Sequence, residues 1–199
     1  TRAFTLAGAE FKQVPDFTQA HFAEAPLLDD IRVPLNEGGA SARYRALKRL
    51  AIQAHDHVNE LYFFAAELKT LGGIKQLLVF LYELASDFGR SIGLPIVWWL
   101  IALGGFADAY LAWAGDRCRE GTGEPISAAF LLSLHRALPP TGLGNEIKLK
   151  QIYACLYGGT TAEPLIPDSV VWLGVAQSLL SLVLIFLVLL AIRNHFRIR

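Results

Sequence analysis

His55, Asp56, His57 and Glu60 gather two imidazoles and two carboxylates within six residues, the donor types that bind zinc and related divalent metals. Their spacing argues against a metal centre. Histidines two apart on a helix point to different faces, and a turn between helices uses Asp, Asn and His for local hydrogen bonds in any case. A polar hairpin tip is the expected role, with no metal and no cofactor. No serine or cysteine nucleophile stands beside a partner base, so no catalytic residue is assigned and the chain is not expected to be an enzyme. Asp108 carries a different signal, being the acidic residue within a long apolar run. A carboxylate at the centre of a bilayer costs on the order of 2.5–3.5 kcal/mol on insertion scales, and less near the interface. It is expected to snorkel, to pair with Arg117 or Gln177, or to face a pore or a neighbouring subunit. Cys118 and Cys155 are the only two cysteines. A disulfide between them, which the sequence predicts, needs an oxidising compartment.

These residues are positioned by two apolar runs, Ile92–Trp113 and Val170–Ile192. At about 1.5 Å per helical residue each run covers roughly the 30 Å hydrocarbon core with some tilt to spare. The first begins too far into the chain to be a signal peptide. A composition that is 53% apolar and 18% charged lies between a soluble domain and a polytopic membrane protein, so about half the chain must be soluble. Net charge is zero, and no clustered Lys and Arg surface offers a site for nucleic acid. The basic run Arg43, Arg45, Lys48 and Arg49 sits on a predicted helix. It reads as a solvated face, with lipid headgroups as the rival partner. The expected class is a mainly α membrane protein, with residues 34–90 as a helical linker domain and 91–199 as a two-span transmembrane domain.

Between the spans, Pro125 stands at a favourable helix start and Ala128, Ala129, Phe130, Leu131, Leu132 and Leu134 extend a short apolar helix. It is too short to span and suits a re-entrant pore helix. Potassium channels place a similar Ser-Leu helix before a Thr-Val-Gly-Tyr-Gly-Asp filter whose carbonyls replace the hydration shell of the ion. Thr141-Gly142-Leu143-Gly144-Asn145 resembles that filter in outline only. The valine is missing, leucine replaces tyrosine, and Pro139-Pro140 interrupts the approach, so potassium selectivity is not expected. His135 and Arg136 would repel cations near a pore. Arg136 has a second expected role, bonding the last carbonyls of the short helix. Ser133, His135, Arg136, Asp108 and Gln177 are the pore-helix or pore-lining candidates.

At the other end of the chain Leu6 and Phe11, then Phe22 and Leu27, recur at five-residue steps, with Ala9, Ala20 and Ala25 two positions ahead of the last three. The repeat slips by one residue at Val14-Pro15-Asp16. This pattern resembles the pentapeptide-repeat family, which implies that residues 1–33 are the last rungs of a right-handed β-solenoid. The chain opens at Thr1 and contains no methionine, and a longer solenoid is expected upstream. Asn36-Glu-Gly-Gly-Ala-Ser41 then supplies a break and a serine able to cap a helix. Tyr44, Leu47, Leu50 and Ala51 predict a first helix, Leu61, Phe64, Ala65 and Leu68 a second ending at Gly72-Gly73, and Ile74–Ser86 a third, amphipathic one.

Taken with Asn59-Glu-Leu-Tyr-Phe-Phe-Ala-Ala-Glu-Leu-Lys69, Leu81-Tyr-Glu-Leu-Ala-Ser-Asp-Phe-Gly-Arg-Ser91 and the closing Arg193-Asn-His-Phe-Arg-Ile-Arg199, the chain resembles bacterial pentapeptide-repeat membrane proteins with a C-terminal potassium-channel-like module. The resemblance implies a homo-oligomer, a tetramer by analogy, in the bacterial inner membrane. The lipid bilayer would be one partner and a cytoplasmic protein another. Lys75, Arg90, Arg193, Arg197 and Arg199 flank the spans on one side against Arg117, Arg119 and Lys150 on the other. With the cysteines, this places both termini in the cytoplasm. A channel-like pore and a non-conducting anchor that recruits a partner through the repeats are the two functions expected.

Overall fold

The computed structural model describes residues 4–24, 26–35, 37–114, 124–138 and 146–197. The chain is mainly helical and divides into two compact units, residues 1–92 with 190–199, and residues 93–189. The described helices are α1 (Ser41–Gln53), α2 (His57–Lys69), α3 (Ile74–Ser86), α4 (Gly93–Ala112), α5 (Pro125–Ala137), α6 (Glu146–Tyr157) and α7 (Asp168–Arg197). Two of them are long and apolar enough to cross a membrane, α4 with mean hydropathy 1.5 and α7, over Asp168–Phe196, with 2.8. These coincide with the two apolar runs. At 1.5 Å per residue the 30 residues of α7 extend about 45 Å, well beyond a hydrocarbon core.

In the first unit the N-terminal segment forms no strand among the described residues. Two passes of chain instead meet at isolated parallel bridges, Thr5 with Leu27 and Glu10 with Arg32. Leu6 N donates to Leu27 O at 2.9 Å, Gly8 N to Asp29 O at 2.8 Å and Phe11 N to Arg32 O at 2.9 Å. The bridges are five residues apart along each pass, and the register offset brings Leu6 beside Leu28, Ala9 beside Ile31 and Phe11 beside Val33. The inward residue of the second pass is therefore Leu28, 1% exposed, and not Leu27, which is 53% exposed. The five-residue count carried forward from Phe22 loses phase because the carbonyl of Leu27 is taken by Leu6 N. In extended chain the neighbouring side chain then turns to the core.

The α1–α2 hairpin covers this ladder. Tyr44, Leu47, Leu50 and Ala51 from α1 and Phe63 and Ala66 from α2 share one core with Leu6, Val14, Leu28, Ile31 and Val33. Tyr44 Oη donates to Pro34 O at 2.7 Å and Tyr62 Oη to Val33 O at 3.3 Å, satisfying backbone carbonyls where the ladder ends. Ser41 does not cap α1: it is the first helical residue, behind Ala40, and no side chain caps the helix. Of the basic run, Arg43 pairs with Glu37 at 3.0 Å, while Arg45 and Lys48 converge on Glu67 at 2.9 and 2.5 Å. Three of the four charges are thus neutralised within the chain, and Arg49 stays exposed. Burial alone would raise the Glu67 carboxyl, but the bonds from Lys48 and Arg45 outweigh it and hold the group below its usual range.

After α3 the chain turns through Asp87, Phe88 and Gly89, all three at positive φ. Phe88 is buried against Tyr82, edge to face at 5.5 Å, with Lys69 Nζ 5.6 Å from its ring centre. This packing holds two non-glycine residues in a left-handed conformation that costs roughly 1–2 kcal/mol each. Asn194, from the last turns of α7 within the same unit, donates to Gly89 O at 3.3 Å.

Candidate functional site

In the second unit two of the residues that sequence patterning singles out for a pore, Ser133 and Gln177, meet in one buried polar network. Gln177 on α7 is 1% exposed, and Ser133 on α5 is fully buried. Gln177 Nε2 donates to Ser133 O at 2.9 Å and to Ser133 Oγ at 2.7 Å. Ser133 Oγ in turn donates to Leu103 O on α4 at 2.8 Å, and Tyr110 Oη on α4 donates to Gln177 Oε1 at 2.9 Å. One side chain from α7 thereby ties both neighbouring helices together through their polar groups. Tyr110 shares an apolar cluster with Ala129, Leu132, Leu156 and Val170, and with Ser133 and Gln177 also buried these bonds lie in low-dielectric surroundings. Tyr157 Oη on α6 donates to Tyr110 O at 3.2 Å and brings the fourth helix into the same arrangement.

Arg136 occupies the neighbouring turn of α5. Its Nη2 donates to Tyr153 Oη on α6 at 2.7 Å. Its guanidinium lies over Gly174 on α7, where an added Cβ would meet Nε at 3.1 Å and Cζ at 3.4 Å. The missing side chain at Gly174 is what admits the arginine. Arg136 does not bond the terminal carbonyls of its own helix through its side chain. Ser178 Oγ instead lies 3.0 Å from Arg136 O and 2.9 Å from Gly174 O, so a hydroxyl from α7 serves the end of α5. His135 is half-buried on the same turn.

Asp108 stands apart from this network. It is exposed on α4, has no hydrogen-bond partner among the described residues, and Gln177 is committed to Tyr110 and Ser133. At 100° per residue, Val97, Leu100, Ile101, Gly104, Gly105 and Asp108 fall on one exposed face, to one side of the buried Leu103, Ala107 and Tyr110. Gly104 and Gly105 meet nothing within 4 Å of an added Cβ among the described residues, so they present a flat open surface there.

Thr141, Gly142, Leu143, Gly144 and Asn145, together with Arg117 and Cys118, lie outside the described residues. Cys155, on α6, is not a free thiol. The hairpin tip is built as a helix junction: Asp56 caps α2 by accepting from Asn59 N at 3.0 Å, and His57 Nδ1 sits 2.9 Å from Glu60 Oε2. Among the described residues no three His, Cys, Asp or Glu side chains gather to hold a metal ion.

Sequence patterning missed Tyr110, Tyr153, Tyr157 and Gly174. A tyrosine inside an apolar run is the available signal, since a buried phenol needs a hydrogen-bond partner. α6 itself was also missed, because its apolar positions are interleaved with Lys148 and Lys150. Lys148 and Arg136 add to the basic residues between the spans and make the flanking charges five against five, so charge bias does not orient the chain. No family model, curated protein or solved structure matches the chain.

Proposed function

We propose that this chain is an integral membrane protein that assembles into a homo-oligomer around a channel-like module, with α4 and α7 as its spans. The observation that carries the reading is Asp108, centred on an otherwise apolar exposed face of α4 beside Gly104 and Gly105. Facing lipid one turn from the end of α4, that carboxylate would cost less than the roughly 2.5–3.5 kcal/mol of the bilayer centre, but the cost would still oppose lipid exposure. A neighbouring subunit packed close over the two glycines, or a shared aqueous path, removes the cost. A tetramer follows the resemblance to potassium-channel-like modules, and the same resemblance makes the N-terminal ladder the end of a pentapeptide-repeat solenoid in the cytoplasm. The five-residue spacing of its parallel bridges supports that assignment. The inter-span segment faces outside, and a disulfide between Cys118 and Cys155 would seal it; mass spectrometry under non-reducing conditions checks the linkage.

A second reading, an oligomeric anchor that does not conduct, is favoured by a different observation. Ser133 and Gln177, the polar residues suited to lining a path, are consumed inside one chain. Planar-bilayer recording of the purified oligomer separates the two. Conductance whose ion preference changes in Asp108→Asn supports the pore. A defined oligomer that never conducts supports the anchor, and a monomer in mild detergent with unchanged behaviour in Asp108→Asn refutes both.

A further inference from the structure

We infer that α3 lies in the membrane–water interface, with the apolar face of Ile74, Leu77, Leu78, Phe80, Leu81 and Leu84 against lipid acyl chains. These six side chains are between 45% and 83% exposed. They amount to on the order of 600 Å² of apolar surface, at or above the largest patch that a soluble monomer usually leaves in water. At 100° per residue they occupy one continuous arc of less than half the helix circumference, and no charged residue falls on it. The helix is turned inside out by the standard of a soluble protein. Its other side meets the rest of its unit: Lys69 Nζ bonds Glu83 Oε1 at 2.6 Å, Ser86 is fully buried, and Tyr82 packs edge to face on Phe88. The polar side is therefore the protein side, and the apolar side is left for something else.

Chain connectivity identifies that something as the bilayer. Arg90 N donates to Asp87 O at 3.1 Å and Ser91 N to Ser86 O at 3.3 Å, so the chain stays beside the end of α3 until Ser91. The span α4 begins two residues later, at Gly93. Two residues reach at most about 7 Å. The C-terminal end of α3 is thus held at the depth where α4 enters the membrane, and a helix with a clean apolar arc at that depth buries it among acyl chains. At 13 residues α3 is too short to cross the bilayer. The inference rests on the membrane reading of α4 and α7.

The test uses the full chain reconstituted in vesicles of phosphatidylethanolamine and phosphatidylglycerol, with a photoreactive residue introduced one site at a time. Leu78→p-benzoylphenylalanine and Leu81→p-benzoylphenylalanine probe the arc, Lys75→p-benzoylphenylalanine probes off it, and Leu180→p-benzoylphenylalanine probes the exposed face of α7. After illumination, intact-mass analysis should show lipid adducts at positions 78 and 81 several-fold above those at 75 and comparable to those at 180. Crosslinks to a second copy of the chain at 78 and 81, with lipid adducts at 180, would overturn the inference while leaving the membrane reading standing. No lipid adduct at any of the four sites would overturn both.

Discussion

Replacing Gln177 by leucine tests whether the polar network joins the helices of the second unit or serves a path through them. The substitution keeps the approximate volume and removes three hydrogen bonds, to Ser133 O, Ser133 Oγ and from Tyr110 Oη. Inter-helix hydrogen bonds inside membrane proteins average about 0.6 kcal/mol each, so the three together account for about 2 kcal/mol. Two groups, the Tyr110 hydroxyl and the Ser133 carbonyl, are left buried without that partner, and each adds on the order of 1 kcal/mol. The predicted loss is thus about 2–4 kcal/mol. All four tryptophans, Trp98, Trp99, Trp113 and Trp172, lie in this unit, so intrinsic fluorescence during denaturant titration in detergent reports on it. Tyr110→Phe combined with Gln177→Leu closes a double-mutant cycle, because the phenylalanine no longer needs an acceptor. The pair should lose less than the sum of its parts by about 1 kcal/mol. Stability of Gln177→Leu within about 0.5 kcal/mol of the parent, or strict additivity in the cycle, would refute the network as an inter-helix tie.

Leu28→Ala should destabilise the first unit by about 3 kcal/mol while Leu27→Ala changes it by less than about 0.5 kcal/mol, read by hydrogen exchange of the α1 and α2 amides; equal effects would refute the register. Glu67 is held below its usual range in the folded chain, so an acidified unfolded chain binds more protons there than the folded one. Its contribution is complete above the unfolded value of about 4.5 and declines as pH falls through the folded value, and Glu67→Gln should flatten that acid limb and cost about 1 kcal/mol near neutrality. Gly159 has φ +88 and an added Cβ would meet Glu163 O at 2.6 Å and Leu165 N at 2.7 Å. Gly159→Ala should open the turn by about 2 kcal/mol, seen as faster exchange of the Leu165 amide that bonds Gly158 O.

The two spans, the three helices before them and the short helix after Pro125 were legible in the sequence because each signal is local. Apolar run length, a 3.6-residue stripe and a proline at the first turn act within one element, and the helices end within a few residues of the expected bounds. What eluded patterning depends on partners far along the chain. Leu27 and Leu28 are equally apolar, and only the pairing with Leu6 decides which one is buried. Gln177 and Ser133, 44 residues apart, carry no mark of their bond in the sequence. Arg136 is free to cap its helix until Gly174 opens a space and Tyr153 offers an oxygen. The sequence by itself determined which segments are apolar enough for a bilayer and marked every described helix except α6, because backbone hydrogen bonding and hydropathy are satisfied locally. Tertiary structure decided which polar groups are paired and which faces stay open, because a buried hydrogen bond needs two groups brought within 3 Å by the packing of separate helices.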